Sequence, residues 1–237
     1  MRLLILFFIF SNVIYAQINI NDLKSASKKA QQLINSNDLT EQEIVEGLKE
    51  ALSIGVKKSS NSASKKGGFN KNDLIRIPFP KDANFMKNTL VKIGLKNKVN
   101  EFEYKINETA EHACLSSYDI FYNTVMHISF NDALEILNGE NNAATNYLRQ
   151  NSYNKLYNKF LPIVTKSMQS LDLTNYWEGL KKNYNKIPLA KKINTDLDDF
   201  ITRKAIDGLF HLIEKEEQNI RENPSARITD ILKKVFN

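Results

Sequence analysis

Apolar residues recur every three or four positions along most of this chain, the period of a helix with one buried face. Thr40 and Glu43 stand at capping-box spacing. Ile44, Leu48, Ala51 or Leu52, and Gly55 then share a stripe, predicting an amphipathic helix in which Gly55 permits a close neighbour. The pattern lapses over residues 57–72, where "KKSSNSASKKGGFNKN" has no apolar period and predicts a flexible loop. Two prolines in "LIRIPFPKD" fix φ and remove N–H donors, so residues 75–80 are expected to be extended.

From Val99 the stripe resumes through Phe102, Ile106, Ala110, Ala113, Ser117 and Ile120 or Phe121, predicting one long helix over about 98–127. Ser129 and Asp132 open the next helix, which turns Ala133, Leu134 and Leu137 inward and stops at Asn138-Gly139. A further long helix carries Tyr153, Leu156, Phe160, Val164, Met168 and Leu171, and Pro162 within it calls for a kink or a break. Residues 174–194 are polar and give no clear assignment. "DLDDFITRKAIDGLFHLIEKEEQNIREN" is the clearest helix, ended by Pro224, and "SARITDILKKVF" forms a short last one. The pattern defines an all-α, single-domain multi-helix bundle over 17–237, with one kinked helix and one short extended segment.

The first residues, "MRLLILFFIFSNVIYAQ", have the charged, apolar and small-residue regions of a secretory signal peptide, with cleavage expected after Ala16. The apolar run from Leu3 to Phe10 is far short of the ~20 residues that span a bilayer, so the mature chain is read as periplasmic with no transmembrane span. Loss of Arg2 lowers the net charge of +6 by one. The surplus of Lys and Arg is spread along the chain apart from Lys57, Lys58, Lys65 and Lys66. A pI near 9.1 points only weakly to an anionic partner. Outside the cytoplasm that partner is not nucleic acid; envelope polyanions or acidic headgroups fit better, beside the plainer reading of a solvated lysine-rich face. Cys114 is the only cysteine, so no internal disulfide staples the fold.

The ordered segments "GLKEALSIGV", "IPFP", "NETAEHA", "NDALEILNGENNAATNYLR", "FLPIV", "AIDGLF" and "EEQNIRENPSARITDILKKVF" resemble the bacterial family called domain of unknown function 4197. The similarity covers nearly all of the mature chain. It implies an envelope-exported protein and brings no established activity with it. The chain departs from the family pattern in a longer Ser/Lys stretch before "GGF" and in Glu108, where the resemblance leads one to expect a basic residue.

Signatures of chemistry are sparse. His112, His127 and His211 lack metal-ligand spacing, and no GxSxG, Walker or GxGxxG motif occurs, so no metal or cofactor is expected. Cys114 reads as a buried apolar thiol. Two polar groups stand out. Asn107 and Glu111 lie four apart on the shoulder of the apolar stripe, and Cys114 and Tyr118 continue the same ridge. Glu217 interrupts the stripe Ile206, Phe210, Ile213, Ile220, and a carboxylate there needs a partner: Arg221 one turn on, or Arg227 folding back after Pro224. At the Asn138-Gly139 corner, Asn141 or Asn142 can cap the restarted helix, leaving donors near Thr145 that could hold an anion, but Gly after Asn is also the ordinary end of one helix before the next, and a tight corner is the favoured reading.

These residues support a non-catalytic module binding an envelope protein or an amphipathic ligand. The alternative is a hydrolase-type enzyme using Glu111 or Glu217. A deep cavity joining the carboxylates favours the enzyme, paired carboxylates beside shallow grooves favour binding, and an enclosed apolar tunnel would indicate lipid carriage.

Overall fold

The computed structural model describes residues 39–188, 190–227 and 229–236. The expected signal peptide, with its expected cleavage after Ala16, falls outside the described residues. All described residues belong to one folded unit, Leu39–Asn237. Nine α-helices pack together in it, and there is no strand among the described residues.

Helix α1 (Glu41–Ser64) opens with the expected capping box: the Glu43 amide donates to Thr40 Oγ1 at 3.2 Å and the Thr40 amide to Glu43 Oε2 at 2.8 Å. It then runs about two turns past the point where the apolar pattern fades. The flexible loop expected over 57–72 is therefore corrected. Ser59, Ser60 and Ala63 continue the buried face in small residues, which read as polar or neutral but allow a neighbour close in, and the hydroxyls of Ser60 and Ser117 are hydrogen-bonded to each other at 2.8 Å. Beyond Ser64 the chain folds back tightly. Gly67 has φ +79°, and a Cβ at Gly68 would lie 2.4 Å from the Ser62 carbonyl oxygen, so only glycine fits this turn.

Residues 76–80 carry no helix, as the prolines require, and lead through a 3-10 turn (Lys81–Ala83) to α2 (Asn84–Lys92). The single helix expected over 98–127 is two: α3 (Lys96–Cys114) and α4 (Ser117–Met126). Ser116 and Ser117 donate their hydroxyls to the carbonyls of Ala113 and Cys114 at 3.1 and 2.7 Å. Those side chains compete for the helical acceptors and end α3 there. The apolar period carries across the break, which is why it does not show in the pattern.

Helix α5 (Phe130–Asn138) starts at the Ser129/Asp132 box, and α6 (Ala143–Ser170) follows after a four-residue corner. Gly139 is extended rather than left-handed; it is needed for space, since a Cβ would sit 2.8 Å from the Glu135 carbonyl oxygen. Pro162 does not break α6, which runs 28 residues through it. The unassigned polar region forms α7 (Leu173–Tyr184), whose Trp177 stacks on Phe102 at 4.9 Å beside Phe79. Helix α8 (Leu197–Glu222) is the central element, packing on α6 most extensively and also on α1 and α3. Ile201, Ile206, Leu209 and Phe210 are fully buried along it, each contributing about 1.5–3 kcal/mol. After a 3-10 turn at Pro224–Ala226, α9 (Asp230–Val235) closes on α1. That is where α1 is closely approached: a Cβ on Gly47 would meet Val235 at 2.8 Å, whereas one on Gly55 has 3.7 Å to Glu216. No helix among the described residues is long and apolar enough to cross a membrane.

Candidate functional site

The first polar group is a ridge on α3 formed by Glu103, Asn107 and Glu111, spaced four apart so that all three face the irregular segment 67–79. Prolines and turns leave that segment without a sheet or helix of its own, and its buried main chain must find partners elsewhere. Glu111 accepts from the amides of Gly67 and Phe69 at 3.0 Å and Asn70 at 3.3 Å. Asn107 pairs with Ile77 in both directions, accepting from its N–H and donating to its C=O, each at 2.8 Å. Glu103 accepts from the Phe79 amide at 3.2 Å and pairs with Arg76 at 2.8 Å and Lys87 at 2.5 Å. The three side chains replace the strand that this segment lacks.

Sequence reasoning found Asn107 and Glu111 and missed Glu103, which lies one turn earlier on the same ridge. Extending the spacing backwards by four residues would have found it. Tyr118, expected to continue the ridge, lies beyond the helix break on α4, half-buried with its ring 5.6 Å from Tyr122. Cys114 is fully buried. Burial first, and the negative charge of Glu111 second, push its thiol well above the ordinary range.

The second group closes the α5–α6 corner. Glu217, buried on α8, accepts from the amides of Ala144 and Thr145 at 3.0 and 2.8 Å and from Thr145 Oγ1 at 2.8 Å. Its carboxylate thus occupies the N-terminus of α6, where unpaired donors and the helix dipole favour an anion. The expectation that Asn141 or Asn142 caps this helix is corrected: Asn142 stands at the N-cap position but makes no side-chain cap, and Glu217 from another helix supplies it. Arg221 donates to Glu217 through Nε at 3.0 Å and Nη2 at 2.9 Å, and Nη2 also reaches the Ile136 carbonyl at 2.7 Å. The cation therefore sits at the C-terminus of α5, where the dipole favours positive charge. Arg227 does fold back after Pro224, donating to the carbonyls of Ile220 and Arg221 at 3.1 and 2.9 Å and closing the end of α8.

Glu217 does not open onto a chamber. The space beside Glu217 is about 10 Å³, room for one water at most. Larger hollows are open clefts, such as one of about 290 Å³ over Asp132, Glu135, Ile136 and Tyr147. Asp132 there is held below the usual carboxylate range, chiefly by its hydrogen bond from Ser129. His112 meets Ser167 at 2.7 Å and His127 its own helix at Asn123, while His211 lies 3.8 Å from Glu214. Among the described residues no group of three His, Cys, Asp or Glu is placed to hold a metal ion.

The fold and its polar groups define a class: an all-α protein in which carboxylates and an amide at core positions clasp the chain's own backbone. The chain belongs to the family described as Protein of unknown function (DUF4197), whose pattern matches residues 38–237, a span that takes in both clasps. No curated protein and no solved structure matches the chain.

Proposed function

We propose that the chain is an exported protein of the bacterial envelope, without catalytic activity, that binds a partner protein or an amphipathic ligand through its surface. The observation that carries this reading is how the large apolar side chains are exposed. Among the described residues six of the eight fall into two stretches, Leu115, Tyr122 and Met126 with half-buried Tyr118 just before and along α4, and Phe85, Val91 and Ile93 on and just after α2, while Leu74 and Tyr104 stand apart. Leu115 is 70% exposed and Phe85 66%, a cost in water that a binding surface recovers. The internal pairing of Glu111 and Glu217 supports the same reading, because a general acid or base needs a substrate within hydrogen-bond reach.

A photo-crosslinking residue placed at Tyr122 or at Phe85 in the native organism tests the proposal, with exposed Lys159 as the control position. Adducts to protein or lipid are expected at the first two positions and not at the third. Adducts at neither position, or equal labelling at Lys159, would overturn it.

A further inference from the structure

We propose that α2, the turn into α3, and the C-terminal end of α7 with the segment after it form a docking face for an anionic phospholipid bilayer. The inference rests on the surface-binding reading above and names the partner class for one of the two exposed groups.

Charge is the first observation. Residues 81–100 and 181–196 hold ten lysines against two aspartates, a surplus of eight in a chain whose total is only +6, so the rest of the sequence is net negative. The two stretches are far apart in sequence, and neither looks unusual alone. The fold joins them. Helix α2 packs on both α3 and α7, Phe85 lies edge-on to Tyr184 with centroids 6.3 Å apart, and Thr195 donates to Asp82 at 2.5 Å. Both aspartates have partners within the fold: Asp82 accepts from Thr195, and Asp196 caps α8 by accepting from the Asp199 amide. Lys87 and Lys181 are paired with Glu103 and Glu178. The others are exposed, with Lys92, Lys96 and Lys98 at the α2–α3 turn and Lys186, Lys191 and Lys192 after α7.

Apolar chemistry in the same place is the second observation. Phe85 and Ile93 are 66% and 53% exposed, two turns apart, among these lysines. A soluble polyanion or an acidic protein tail would use the lysines and leave Phe85 and Ile93 in water. A bilayer meets both: headgroup charge for the ammonium groups, whose stems lie along apolar surface, and the acyl boundary for the phenyl and butyl groups.

The test uses the full chain with vesicles of phosphatidylglycerol in phosphatidylcholine, against phosphatidylcholine alone. Because residues 3–10 are themselves apolar, binding is read at the face: Phe85→Trp with bromine-labelled acyl chains, the native Trp177 being buried and serving as the internal unquenched reference. Quenching at position 85 is expected in the anionic vesicles and not in the neutral ones. The double variant Lys191→Glu/Lys192→Glu, at two exposed side chains outside any helix, is expected to weaken that signal at least about tenfold with circular dichroism unchanged, as is high salt. Phe85→Ser with Ile93→Ser should reduce the excess of binding to anionic over neutral vesicles while circular dichroism is unchanged. Absence of quenching in anionic vesicles would overturn the proposal, as would heparin binding that equals vesicle binding and ignores the Ser variant. Protein adducts at position 85 in cells without any vesicle response would overturn the lipid assignment alone, leaving surface binding in place.

Discussion

At the scale of single residues, two glycines and the lone cysteine give opposite answers to small changes. Gly55 has room for a methyl group in the middle of a helix, so Gly55→Ala should raise stability by about 0.5–1 kcal/mol, the helix propensity gained. Gly68→Ala forces a Cβ against a carbonyl oxygen in a turn that cannot yield, and should lose more than about 1 kcal/mol. Urea unfolding of both variants checks the signs together. For Cys114 the folded pKa is raised above its unfolded value. Its contribution to stability is therefore fully present below the unfolded pKa and is lost as pH rises toward the folded one. At about pH 8.5, where an unfolded thiol is half ionised, a disulfide reagent should label native protein slowly and denatured protein at once. Fast native labelling would show that the thiol is neither buried nor neutral.

At the scale of elements, the clasps make the stability of one helix depend on another. Glu217→Ala strands Arg221 and uncaps α6 together, and should cost ~3–5 kcal/mol, whereas an exposed pair at this spacing is worth only ~0.3–0.5 kcal/mol. Arg221→Ala should be strongly non-additive with it in a double-mutant cycle, and Arg227→Ala additive, since Arg227 closes α8 through carbonyls. Asn107→Ala should speed amide hydrogen exchange at Ile77 and its neighbours without disturbing α5 or α6. Much of this level could be read in the sequence, because both capping boxes, the α8 stripe and the misfit of Glu217 are local patterns. The rest was not legible for physical reasons. Ser59, Ser60 and Ala63 extend a buried face with residues that carry no hydropathy signal. The α3–α4 break arises from two serine hydroxyls and leaves the apolar period intact. Helix α7 buries little besides Leu173, Trp177, Leu180 and Tyr184, too sparse a stripe to see amid lysines and asparagines. That Glu217 would cap α6 could not be read at all, since spacing along α8 says nothing about which helix end lies across from it.

At the scale of the whole molecule, the proposed export makes its own prediction. Protein isolated from the envelope is expected to begin at Gln17 or within a few residues of it, by N-terminal sequencing; intact Met1 on cytosolic protein would refute export. The clasp at the α5–α6 corner adds a constraint of timing. The donors of Ala144 and Thr145 meet their acceptor 73 and 72 residues later in the chain, so the start of α6 waits for α8 to be made. At about 5–20 residues per second, that wait lasts roughly 4–15 seconds of synthesis. Throughout it the start of α6 lacks the acceptor that Glu217 supplies. If the chain leaves the cytoplasm with its N-terminus first, as proposed, it carries its latch at the rear, and the molecule would close only when α8 has come through.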